Sequence, residues 1–199
     1  VVNLVFPYSK MISGAIGILV YIFLSGGIHL DGLADVCDGF FSNRDPERIL
    51  EIMKDSMIGT FGVLALVCYG ILKASIYGEM ASINLYQVFY FGIVSYLARF
   101  STLILILRSK IVRPGGFGSA MENALKGSYA IAIHLFIIIL LSFYDFRVLI
   151  LAIFSIINAE MLRIISKKKI GGVTGDVYGT NTELNEIFLL LLIWRLLWI

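Results

Sequence analysis

The chain has 199 residues, 59% of them hydrophobic and only 15% charged, with a formal net charge of +2. A soluble domain is about one quarter charged, so this composition excludes an ordinary soluble protein and places the chain in a lipid bilayer. So small an excess of positive charge gives no reason to expect a nucleic-acid partner.

A bilayer core about 30 Å thick needs about 20 helical residues per crossing. Apolar runs that can cross occupy 11–28, 57–77, 84–107, 129–144, 147–165 and 184–199, the fourth and last being short. Six crossings put loops 29–56, 108–128 and 166–183 on one face, and 78–83 and the turn at Asp145 on the other. The first set holds ten Lys or Arg residues and the second holds one, Arg147. Positive charge stays on the cytoplasmic side, so the long loops are expected in the cytoplasm and both ends of the chain outside. The expected fold is an all-α integral membrane protein, a polytopic helical bundle of about six transmembrane helices with a cytoplasmic acidic helical loop, residues 1–199 forming one domain. Cys37 and Cys68 are read as free thiols.

Half of the 14 acids lie between His29 and Asp55. If 29–41 is helical, Asp31, Asp35 and Asp38 stand at i, i+4 and i+7 and share one stripe. Unpaired anions on one stripe repel. Oxygen donors presented in this way suit a hard divalent cation such as Mg²⁺, with Asp55 as a fourth ligand. His29, at the entrance to the stretch, is a candidate base. Gly32 and Gly39 each cost a helix about 1 kcal/mol relative to Ala, and they let a phosphate or a neighbouring helix come close. Asp45-Pro46-Glu47 reads as a helix start. The loop RSKIVRPGGFGSAMENALKGS, which contains Arg113, is expected to be mobile or substrate-gated.

A second cluster, GGVTGDVYGTNTELNEI, surrounds Asp176 with glycines and places Glu183 and Glu186 on one face where the last helix begins. It reads either as a glycine hinge before a capped helix or as an anion-binding loop. Arg99, Asn158, Glu160 and Arg163 fall inside expected crossings, where ionisable groups face the bundle interior and pair. Arg99 and Glu160 are the candidates for a phosphate clamp and an ion pair. His134, Lys73 and Arg195 fall toward the opposite half and carry no assignment.

HLDGLADVCDG, MKDSMIGTFGVLAL and GGVTGDVYGTNTELNEI, in that order from about Gly26 to Glu186, resemble the cobalamin synthase family, the adenosylcobinamide-GDP ribazoletransferases. The resemblance implies a Mg²⁺-dependent phosphotransferase of the cell membrane, with its site facing the cytoplasm. Its substrates would be adenosylcobinamide-GDP and α-ribazole or α-ribazole 5′-phosphate, and its products adenosylcobalamin, or the 5′-phosphate, and GMP. Catalytic and metal roles then fall to Asp31, Asp35, Asp38 and Asp55, with His29 beside them, and substrate contacts to Gly32, Gly39, Arg99, Arg113, Glu160, Asp176, Glu183 and Glu186. Family members begin one hydrophobic segment earlier, so a preceding segment is expected, and an oligomer is compatible with the sequence. The DGLAD core is also similar to the opening of the CDP-alcohol phosphotransferase signature, but Asp35 stands where that signature has Arg. A phospholipid-type CDP-alcohol phosphotransferase is therefore the first alternative, and a cation transporter the second.

Overall fold

A computed structural model describes residues 9–80, 85–113 and 129–197. Most of the glycine-rich loop, 114–128, and positions 81–84 lie outside the described residues. The described residues form eight helices: α1 (Lys10–Ser25), α2 (Ile28–Phe41), α3 (Pro46–Ile52), α4 (Thr60–Met80), α5 (Leu85–Arg108), α6 (Ala130–Tyr144), α7 (Arg147–Ile170) and α8 (Gly175–Leu197). The all-helical expectation holds.

The count of six crossings is narrower in the structure. By length and composition α4, α5 and α7 can each cross a membrane, and the pair α1 and α2, bent by 96°, can make a fourth span. α6 has 15 residues, fewer than a crossing needs. α8 begins at Gly175 instead of near 184 and carries Asp176, Glu183 and Glu186 within it. It can sit inside the bundle because those acids find partners there. Large side chains such as Met11, Phe23 and Phe143 point outward, as lipid contact requires.

Local sequence explains the first turns. Gly26 and Gly27 both take positive φ, 67° and 70°, a backbone that residues with a Cβ adopt at a cost; α1 ends there and α2 leaves across it. Asp45 caps α3 by accepting from the Arg48 N–H at 2.9 Å, with Pro46 at the first helical position, as its sequence predicts. α4 is started from a distance: Asp38 of α2 accepts the N–H groups of Gly59 (2.7 Å) and Gly62 (2.8 Å). A carboxylate there satisfies donors that a helix start leaves open and meets the positive end of the helix dipole.

The ends of the helices gather as the loop charges suggested. Lys169, near the end of α7, donates to the Phe40 carbonyl at the end of α2 (2.8 Å). The segment after α5 pairs with the segment before α8, Val112 N–H to the Val173 carbonyl (3.0 Å) and Val173 N–H to the Lys110 carbonyl (2.9 Å). At the opposite end Lys10 pairs with Glu79 at 2.7 Å, and Tyr90 donates to Asp145. One apolar core joins α4, α5, α6, α7 and α8 through Ile76, Leu97, Ile138, Leu151 and Leu189. A second fixes α2 and α3 through Val36, Phe40, Ile49 and Met53.

Gly32 is where α2 and α8 touch most closely. A Cβ built there would lie 2.8 Å from the Asp176 carbonyl oxygen and 2.9 Å from its Cα, and Thr180 ties the crossing by donating to the Gly32 carbonyl at 3.0 Å. Gly32→Ala therefore forces backbone apart and is expected to cost about 1–3 kcal/mol, the range for overpacking. It should be read as a lower Tm of the detergent-solubilised protein. Gly70→Ala, in α4 with nothing within 4 Å, should leave Tm unchanged or raise it. Equal effects at the two positions would contradict the close approach.

Candidate active site

A cleft of about 750 Å³ opens between α2, α5, α8 and the segment after α5. It is lined by His29 and Asp31 of α2, by Tyr96, Arg99 and Leu103 of α5, by His134 of α6, and by Arg113 and Asp176; Arg113 stands beside Asp176, and Arg99 beside Glu186 further along α8. The crossing at Gly32 brings the α2 acids to Asp176, and thus joins two motifs that are distant in sequence.

The stripe itself is real, but its members differ in use. Asp31 is exposed in the cleft. Asp35 is half-buried: burial, then the charges of Asp31, Asp176 and Asp38, push its carboxyl up to about 7, while Arg113 pulls the other way. Asp176 is also raised, by burial first, with Asp31 adding and Thr174 and Arg113 opposing. Asp31, Asp35 and Asp176 therefore share one field. Asp38 uses both oxygens on the start of α4, and this is a structural task the stripe pattern did not show. Asp55 is exposed and accepts from the Met57 N–H at 3.0 Å. Among the described residues no three His, Cys, Asp or Glu side chains are already gathered as a metal-holding group.

The two glycines face protein. Gly32 is filled by the Asp176 backbone, and a Cβ at Gly39 would meet Met53 Cγ at 2.6 Å. Of the two reasons for a glycine, close approach of a helix is the one realised, and neither position is open to a phosphate. Glu160 pairs with Arg163 at 2.6 Å and Arg108 at 3.6 Å, on α7 and outside the cleft lining; it is no partner of Arg99. Arg113 faces Asp176 at 3.7 Å and donates to the Leu50 carbonyl at 2.9 Å, so α3 and α8 both hold it.

Glu183 and Glu186 lie within α8, fully enclosed, and do not line the cleft. Their partner is Lys73 of α4, itself fully buried, with Nζ 2.7 Å from Glu186 and 3.3 Å from Glu183. Tyr69 bridges Lys73 and Glu183, Tyr21 donates to Glu183 at 2.8 Å, and Lys73 Nζ sits 3.4 Å over the Tyr21 ring. Two cleft residues reach toward this cluster. Glu186 accepts from Arg99 Nη1 at 2.9 Å and from Ser95 Oγ at 3.1 Å. Glu183 faces His29 Nδ1 at 3.6 Å, too far for a hydrogen bond and near enough to orient the ring. The two glutamates thus position cleft residues and do not themselves contact the cleft. Sequence reasoning missed Lys73 and both tyrosines; a lone Lys in the apolar run of α4 was the available signal, since such a charge needs buried partners. Cys37 and Cys68 are free thiols, as expected.

Among known proteins, the cobalamin-5-phosphate synthase family model matches residues 1–194. The chain is 40% identical over 189 residues to an adenosylcobinamide-GDP ribazoletransferase of Clostridium acetobutylicum, covering 94% of this chain and 74% of that protein. Proteins of the same name from Clostridium tetani (38%, 92% of this chain and 73% of that protein) and Treponema denticola (34%, 90% and 74%) are also similar. No solved structure matches the chain.

The raised carboxyl of Asp35 makes a signed prediction. A free carboxyl titrates near about 3.9, so the folded state holds this proton more tightly and loses stability as the pH rises from there through about 7. Asp35→Asn removes that penalty. With chelator present, its Tm should exceed the unmodified protein's at pH 8, and the gain should shrink at pH 5. A gain of equal size at both pH values would rule out like-charge repulsion as the cause.

Proposed function

The chain belongs to the cobalamin-5-phosphate synthase family, and from that premise we propose that it transfers the cobinamide-bearing phosphoryl group of adenosylcobinamide-GDP to α-ribazole or α-ribazole 5′-phosphate, with release of GMP. One observation carries this reading to the residues: a single cleft is lined by carboxylates (Asp31, Asp176), guanidinium groups (Arg99, Arg113) and an imidazole (His29). Attack of a hydroxyl on a pyrophosphate needs such charge stabilisation and positioning more than it needs covalent help from the protein.

In the proposed reaction the acceptor hydroxyl oxygen forms a bond to the phosphorus that bears cobinamide, and the bond from that phosphorus to the bridging oxygen breaks, so the electron pair leaves with GMP. His29 accepts the hydroxyl proton, with the carboxylate of Glu183 standing 3.6 Å from its Nδ1. Arg99 and Arg113 bind phosphate oxygens and offset their growing charge. Glu186 and Asp176 hold those two guanidinium groups in place.

Mg²⁺ is the cofactor we propose. The residues fit it in chemical type: Asp31, Asp35 and Asp176 are hard oxygen donors that share a field of like charge, which a divalent cation would relieve. When bound, it would neutralise pyrophosphate charge and orient the leaving group. Asp38 supports the stripe from behind, and Asp55 is the least supported of the sequence-derived ligands.

We also propose that the cleft faces the cytoplasm of a multi-pass cell-membrane protein, with α6 and α8 completing about six crossings. The ten-to-one loop charge supports that orientation. In intact cells, a cysteine at Lys168 should be protected from an impermeant thiol reagent and one at Tyr144 should react; the reverse labelling would invert the orientation.

Purified protein given adenosylcobinamide-GDP, α-ribazole and Mg²⁺ should release GMP in step with the cobalamin product, and chelator should stop both. Asp31→Asn and Asp35→Asn should remain folded and membrane-inserted yet lose about 10²-fold or more in turnover, since positioned charge is the largest catalytic factor. CMP release from a CDP-alcohol lipid, with no GMP from the corrinoid, would move the protein to the phospholipid branch.

A further inference from the structure

Asn158 stands halfway along α7, a helix long and apolar enough to cross the membrane, and the reaction derived above makes no use of it. Its Nδ2 donates to Asn185 Oδ1 of α8 at 3.3 Å. Asn185 in turn donates to Ser101 Oγ and to Asn181 Oδ1, both at 3.1 Å, and Asn181 donates to Thr102 Oγ1 at 2.8 Å. Ser101, Asn181 and Asn185 are enclosed, and their amides are fully engaged. Asn158, at the outer end of the chain, is only half-buried. Among the described residues its carbonyl oxygen and second amide hydrogen have no partner. Beside it, between α7 and α8, lies a cavity of about 150 Å³ that Met161, Ile165 and Phe188 also line, each of them exposed. Along α7, Phe154, Asn158, Met161 and Ile165 follow one another at intervals of four, three and four residues, the spacing of a seam between two helices packed side by side.

We propose that this face is the interface between two copies of the chain. α7 of one packs parallel to α7 of the other about a twofold axis along the membrane normal, the two Asn158 amides hydrogen-bond to one another, and the Met161 side chain of each copy enters the other's cavity. The interface is independent of the transferase reading above and lies on α7 and α8, outside the cleft.

Three considerations select a second copy. Hydrogen bonding is the first. Lipid tails fill an apolar groove but offer neither donor nor acceptor, and a polar group left unmet in hydrocarbon is costly. An amide offers both, so a second Asn158 supplies what the first lacks; asparagine side chains bond across helices in this way in membranes. Symmetry is the second. Copies inserted in one orientation carry their α7 helices parallel, and a twofold axis brings residues of the same number to the same depth. A single Asn on an otherwise apolar seam then fixes both partner and register, since any slip leaves two amides facing apolar groups. Shape is the third. The cavity of about 150 Å³ has the size that takes a benzene-sized group, and unbranched Met is suited to filling irregular gaps. Knob and hole lie on the same face, as a self-complementary interface requires.

Energy transfer between donor- and acceptor-labelled copies, reconstituted at a series of densities in phosphatidylcholine vesicles without substrate, measures the association directly. The unmodified protein should pair. Asn158→Leu should weaken pairing about three- to thirtyfold, the range for one polar pair between helices in lipid, and Asn158→Gln, which keeps the amide, should restore most of the loss. Should Asn158→Leu fail to fold, crosslinking with Asn158 in place decides. In a chain carrying Cys37→Ala and Cys68→Ala, Met161→Cys on the seam should form a dimer when iodine oxidises the two thiols to a disulfide, and Phe136→Cys, exposed on α6, should not. A monomer at every density, pairing indifferent to Asn158→Leu, glutamine no better than leucine, or equal crosslinking at Phe136 would overturn the interface. GMP release is read separately and bears only on the reaction: pairing without it would keep the interface and remove the transferase reading, and GMP release from a monomer would do the reverse.

Discussion

The contact on which the site depends is Lys73 held between Glu183 and Glu186, all three shut away from solvent. Enclosing a charge in a lipid-embedded bundle is costly, and it persists only when paired and hydrogen-bonded. Lys73 and Arg99 bring two positive charges to the cluster and the glutamates bring two negative ones, so the group is balanced. Tyr21, Tyr69 and Ser95 satisfy remaining lone pairs. Removing one partner of such a cluster strands a buried charge, at about 3–5 kcal/mol. The cluster therefore locks α4, α5 and α8 at one depth, with Tyr21 of α1 laid over the top. Arg99 is the member that emerges into the cleft.

A second constraint acts from the other side. α2 can carry its acids to Asp176 only because Gly32 lets two backbones meet, and α2 itself is held by Asp38 at the start of α4. Rigid neighbours thus press Asp31, Asp35 and Asp176 into mutual repulsion. Such a site is unfavourable alone, and the cation proposed above would relieve it. The cleft combines these two devices. One fixes a guanidinium group in the cleft, and the other crowds carboxylates together.

Sequence alone made part of this legible. The i, i+4, i+7 spacing of Asp31, Asp35 and Asp38 is local, and α2 has the helical geometry it required. The Asp45-Pro46 start of α3 is local as well. Hydropathy made the helical class plain; by length and composition alone, α6 with its 15 residues and α8 with its three acids fall outside the helices that qualify as spans. What was hidden depends on contacts between distant residues. Asp38 looks identical to Asp31 in sequence, and only the position of Gly59 and Gly62 gives it a different task. Glu183 and Glu186 read as the start of a capped helix, whereas α8 begins earlier and takes them into the core. Lys73 is separated from both by more than a hundred residues, and nothing in its own surroundings names them.

A double-mutant cycle between Lys73 and Glu186, scored for stability and for the KM of adenosylcobinamide-GDP, tests the dependence of the site on this buried cluster most directly. Lys73→Met and Glu186→Gln should each lower Tm and raise KM. The double variant, which leaves Glu183 and Arg99 as a balanced pair, should recover part of both losses, with a coupling of about 0.5–3 kcal/mol as for residues in one network. Losses that simply add, or a Lys73→Met protein with unchanged KM, would contradict it.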